Sequence, residues 1–139
     1  MPTGPRLFLD ANVLFTAAHN PRGKAAFLFD AASLGHLRLL SSVYAVEEAR
    51  RNIAAKYPQC GERLEVLLRE ITLAPQPAAP QLPTIALPEK DLPVFLAASA
   101  AGATHLLTGD LKHFGPHMNR PLESMDLVIQ TVADFLNGL

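Results

Sequence analysis

The chain has 139 residues, 49% of them hydrophobic and 18% charged, a balance that suits one globular domain with a single core. No stretch approaches the roughly 20 apolar residues of a membrane span, the start MPTGPR lacks the layout of a secretory signal, and Cys60 stands alone, without a disulfide partner or a cysteine zinc cluster. A cytoplasmic setting without membrane contact is expected, while the formal net charge of -1 neither suggests nor excludes nucleic acid, because a local basic rim or a bound metal can supply the attraction.

In chain order, Arg6 to Leu9 is a short apolar strand, and Asn20-Pro21 marks the turn before a helix from about Arg22 to Leu34. Gly35 ends that helix, since glycine takes the left-handed cap without steric cost. Leu37 to Leu40 is a second strand, and Ser41-Ser42 offers an N-cap for a helix to about Lys56. Pro58 starts another helix, with Leu64, Leu67, Leu68 and Ile71 on one side at helical spacing. Ile71 to Leu73 is a candidate edge strand.

Residues 75–90 form a proline-rich connector within one domain, with five prolines between Pro75 and Pro88. A helix follows from about Asp91 to Ala101, its small residues permitting close packing on a sheet, and Gly102 ends it. Thr104 to Thr108 is the clearest strand, Leu127 to Ile129 a last one, and Thr131 to Leu136 a terminal helix. This alternation predicts an α/β fold, a three-layer α/β/α sandwich around a mostly parallel sheet of about five strands.

Three acids stand where apolar runs give out. Asp10 closes LFLDAN, Asp110 follows THLLTG, and Asp91 opens KDLPVFLAASAAGA. Ligands of a parallel sheet gather outside the carboxyl ends of its strands. Carboxylates crowded there repel: at ~4 Å and an effective dielectric of ~20, each pair costs on the order of 4 kcal/mol. A divalent cation that prefers oxygen ligands relieves that cost.

Each acid also has a plainer use. Asp10 before Ala11-Asn12 fits a turn that bonds its own backbone, and Asp91 and Asp110 both sit where a helix cap is expected. Glu47, four before Arg51, fits an exposed ion pair. Their joint placement at one end of the sheet is what favours chemistry.

Other chemistries lack their signatures. There is no G-x-G-x-x-G, no G-x-x-x-x-G-K-[ST] and no G-x-S-x-G. His113 and His117 are four apart but lack the glutamate and third ligand of a zinc hydrolase, and Pro116 lies between them.

In four pieces and in order, the chain resembles a PIN domain, a family of metal-dependent ribonucleases. LFLDANVL resembles the opening strand with its first acid, SSVYAVEEARRNI the helix that carries the second, EKDLPVFLAASAAGATHLLTGDLKHFG the segment with the third and fourth, and LVIQTVADFL the closing strand and helix. The resemblance spans Arg6 to about Phe135. It implies catalytic, metal-holding roles for Asp10, Glu48 (with Glu47 in reserve), Asp91 and Asp110, and supporting hydrogen bonds from Asn12 and Thr108. One or two Mg²⁺ or Mn²⁺ ions would be the cofactor.

Arg50, Arg51, Lys112, His113 and Arg120 are candidates for a phosphate path, with ordinary solvated surface as the plainer reading. Single-domain members of this size resemble VapC-type toxins, which implies RNA as substrate, an antitoxin partner and a homodimer. Two other classes remain in view. A phosphoacceptor receiver also uses strand-end acids, but its late strand-end lysine is missing, with only Lys112 after Asp110. A PIN-like module that binds RNA or a partner without cutting is the other.

Overall fold

The computed structural model describes residues 4–76, 86–120 and 127–139. Its strands are β1 (Arg6–Leu9), β2 (Arg38–Ser42), β3 (Ile71–Ala74), β4 (His105–Leu107) and β5 (Val128–Gln130), all parallel and ordered β3-β2-β1-β4-β5. Leu7, Phe8 and Leu9 of β1, Leu39 to Ser42 of β2 and Leu106 and Leu107 of β4 are all buried. Successive strand residues point to opposite faces, so unbroken burial means that both faces of the central strands are covered. This is the three-layer α/β arrangement expected from the sequence.

The helices are α1 (Ala11–His19), α2 (Lys24–Ser33), α3 (Val43–Lys56), α4 (Gly61–Leu68), α5 (Leu92–Ala100), α6 (Leu111–Phe114) and α7 (Val132–Asn137). Single turns of 3-10 helix at Pro58–Cys60, Glu89–Asp91 and Gly115–His117 lead into α4, into α5 and out of α6. Helix α1 packs against α2, α3 and α4, and α5 packs on β2 and β4 as well as on α3. Ala97 and Ala98 of α5 are fully buried, the close approach that small residues allow.

Local chemistry explains the boundaries. Ser42 caps α3 by accepting a 3.1 Å bond from the Ala45 N–H, and the Ser41 hydroxyl ties β2 to the Leu9 carbonyl at 2.8 Å. Gly35 and Gly102 end α2 and α5 with φ of +82° and +73°, the left-handed values that favour glycine.

Three expectations need correction. Helix α1 was not foreseen: Val13, Leu14, Ala17 and Ala18 bury one helical face directly after Asp10. Ile71 belongs to β3 rather than to the apolar side of α4, which ends at Leu68. Helices α2 and α5 are each shorter than expected at both ends. Of the connector, residues 77–85 lie outside the described residues, and Glu89–Asp91 forms a helical turn.

The sheet order reverses direction at β1, which lies between β2 and β4. The crevice outside the carboxyl ends of β1 and β4 is therefore the topological switch point, where ligands of such sheets bind.

Candidate active site

Asp10 leaves β1 and caps α1 in the same step. Its Oδ1 accepts the Ala11 N–H at 2.8 Å, while Oδ2 accepts the Thr108 hydroxyl at 2.8 Å and the Asn12 amide at 3.2 Å. These bonds use three of the roughly four lone-pair directions of a carboxylate. Only 7% of the residue is exposed. Burial raises its pKa; the Thr108 and Ala11 bonds pull it back, and the charges of Glu48 and Asp91 push it further up.

The segment after β4 is stitched to the same carboxylate. Thr108 is fully buried, and its Oγ1 also accepts from the Asn12 amide and the Asp110 N–H, each at 3.1 Å. The Asn12 carbonyl oxygen accepts the Gly109 N–H at 2.7 Å. One asparagine thus clamps the first turn of α1 to the T-G-D loop. Asn12 and Thr108 together fix where Asp10 and Asp110 stand.

Asp110 caps α6, its Oδ1 accepting the His113 N–H at 3.1 Å. Asp91 occupies the matching position before α5 but makes no side-chain cap bond, so capping does not account for it. Its carboxylate turns instead toward α6. His113 Nδ1 lies 2.9 Å from both Asp91 Oδ2 and Asp110 Oδ2. Neither approach has the geometry of a hydrogen bond, and His113 Nδ1 and Asp91 Oδ2 are both buried without such a partner. Burial raises the Asp91 pKa, and Asp110 adds to the rise while His113 and Lys90 oppose it.

Helix α3 separates its two glutamates. Glu47 is exposed and bonds Arg50 at 2.8 Å, so its ion pair is with the residue three along, not with Arg51. Glu48 is half-buried, and its charge is felt at Asp10.

The structure thus gathers Asp10, Asp91 and Asp110 at one crevice, with Glu48 facing it and Glu47 turned away. Asp91, Asp110 and His113 offer one ligand atom each within 4.8 Å of one another; Asp10 and Glu48 stand outside that tight trio. The donor set suits a hard divalent cation: carboxylate oxygens at a switch point, with an imidazole nitrogen between two of them.

The basic candidates divide. Arg50 is held by Glu47 and bidentately by Glu65, at 2.8 and 2.9 Å, so little of its charge is left for a phosphate. Arg51, Lys112 and Arg120 are exposed. His113 sits between the acids rather than on an open path. Its place was signalled by the D-x-x-H spacing, which sets it one turn beyond the cap of α6.

The PIN domain family model matches residues 6–112. Two solved structures share the fold. A chain of VapBC2 from Rickettsia felis, bound to a DNA fragment from the promoter, matches with a TM-score of 0.64 and 14% identity, over 91% of this chain and 98% of that one. A chain of VapBC-1 from nontypeable Haemophilus influenzae matches with a TM-score of 0.55 and 17% identity, over 92% and 98%. No curated protein sequence matches this one. With the family match spanning most of the length and the acids meeting at the switch point of the sheet, the chain belongs to the PIN domain family.

Proposed function

We infer that this protein is a metal-dependent endoribonuclease that hydrolyses RNA phosphodiester bonds. The observation that carries the reading is the trio of Asp91, Asp110 and His113, whose ligand atoms lie within 4.8 Å of one another at the mouth of β4, with the charges of Asp91 and Glu48 also felt at Asp10. Carboxylates gathered this closely repel one another, and a divalent cation among them relieves that cost.

Asp10, Glu48, Asp91 and Asp110 would hold one or two Mg²⁺ or Mn²⁺ ions. When bound, the metal supplies an activated water and offsets charge developing on the phosphate. The chain's own residues do the rest. Asn12 and Thr108 hold the Asp10 carboxylate in one rotamer, so the ligand set is preorganised. The Asp110 N–H, tied to Thr108, fixes the T-G-D loop against drift. Burial of Asp10 places its carboxylate in a low local dielectric, which strengthens its charge interactions in the crevice.

The solved structures of like fold bear the name VapBC, which supports a toxin role with an antitoxin partner; a homodimer of this chain and a cytoplasmic setting belong to the same proposal. Among the described residues no helix is long and apolar enough to cross a membrane.

Incubation with end-labelled single-stranded RNA tests the activity. Fragments should form with Mg²⁺ or Mn²⁺ and vanish with EDTA. Intact RNA at millimolar Mn²⁺, shifted in a gel but uncut, would support the binding module instead.

A further inference from the structure

We propose that the groove between α1, the first turn of α2 and the start of α7 is a subsite for one nucleotide flanking the scissile phosphate, with Lys24 contacting its phosphate. The idea rests on the nuclease reading above and adds where the strand leaves the crevice.

The groove has a volume of about 580 Å³, inside the range of small-molecule sites and enough for a nucleotide. It opens directly onto the acidic crevice, since Asn12, Thr108 and Asp110 line it as well as fixing the carboxylates. A strand with one phosphate among the acids must leave in some direction, and charge selects between the sides. Toward α3 it meets Glu48 and then Glu47, whose arginine is already doubly engaged. In the groove the charged side chains are Lys24 and the shared Asp110.

The lining is polar where a nucleotide needs contacts. The Thr16 hydroxyl, the Asn20 amide and the Lys24 ammonium have no side-chain hydrogen bond or ion pair among the described residues. Gly23 holds the mouth open: a Cβ there would come within 2.7 Å of the Asn20 Nδ2. Val132 and Ala133, half-buried at the start of α7, offer an apolar wall for a base face. Single strands are held by this combination of a cation on the backbone and a surface on which a base can rest.

The test uses the full chain in EDTA, where binding is read without cleavage, with a labelled single-stranded RNA hexamer followed by anisotropy across a salt series. Lys24→Ala should weaken binding about five-fold at low salt and lower the slope of log affinity against log salt by about 0.7, one phosphate contact's share. Ala133→Phe, which fills the groove, should weaken binding while the melting temperature and its Mn²⁺-induced shift stay at wild-type values. With Mn²⁺ present, Lys24→Ala should raise KM about five-fold and change kcat less than about two-fold. Wild-type affinity, slope and KM in both variants would overturn the proposal and leave the groove to a protein segment. That outcome differs from a wild-type protein that cuts no RNA at all, which would sink the nuclease reading while the binding series still tests the groove.

Discussion

Replacing Asp91 with asparagine should make the metal-free protein more stable. Asp91 loses no cap bond, because its side chain makes none, and its nearest like charge is on Asp110, with ligand oxygens within 4.8 Å. At that distance and an effective dielectric of ~20, the repulsion is ~3.5 kcal/mol. His113, 2.9 Å from both carboxylates, opposes that repulsion more strongly than Asp110 supplies it, so the gain comes from removing the burial cost of the Asp91 charge. A net gain of about 1–2 kcal/mol remains, which for a chain of this size raises Tm by roughly 3–8 °C. Metal should reverse the order. The wild-type protein gains RT ln(1 + [M]/Kd), about 1.4 kcal/mol at ten times Kd, and the variant gains much less. Calorimetry in EDTA and in Mn²⁺ reads both. A variant that melts lower than wild type in EDTA, or keeps the full Mn²⁺ shift, would refute the reasoning.

The same substitution predicts a pH dependence. Burial holds the folded Asp91 pKa above its unfolded value, so the folded state binds the proton to higher pH and metal-free stability falls as pH rises through that interval. The advantage of Asp91→Asn should therefore vanish well below the ordinary aspartate pKa and be complete above the raised one; an advantage independent of pH would contradict this. Asn12→Ala and Thr108→Val should each reduce metal affinity or cleavage on the order of 10–100-fold while the fold persists, read by Mn²⁺ titration. Gly102→Ala should cost about 1–2 kcal/mol by forcing a side chain to φ +73°, with nothing nearby to clash, measured by urea unfolding.

The strands were legible because a sheet covered on both faces needs unbroken apolar runs, and LFL and HLL have no other use. The caps were legible as well: Ser42, Gly35 and Gly102 act through backbone chemistry local to the residue. Helix α1 was not, because the apolar residues of ANVLFTAAH follow the strand with only Asp10 and Asn12 as punctuation. A residue that ends a strand by capping a helix leaves no loop to mark the change.

At the site, residue types at strand ends pointed to the crevice, but long-range contacts decide the details. Nothing near Glu47 in sequence announces Glu65, fifteen residues from Arg50, which draws that arginine and Glu47 away from the crevice. Nor does a short segment foretell that Asp91, twenty-two residues before His113, leaves its cap position to face that imidazole. The groove at Lys24 needs α1, α2 and α7 together, so no local pattern could have marked it.

A crystal soaked in Mn²⁺ and measured for anomalous scattering tests the central claim most directly. An anomalous peak should lie between Asp91 and Asp110, at carboxylate-ligand distance from both, with Asp10 and Glu48 facing it and Glu47 still on Arg50. Density that leaves those carboxylates without a cation, or places Mn²⁺ on another face of the protein, would contradict it.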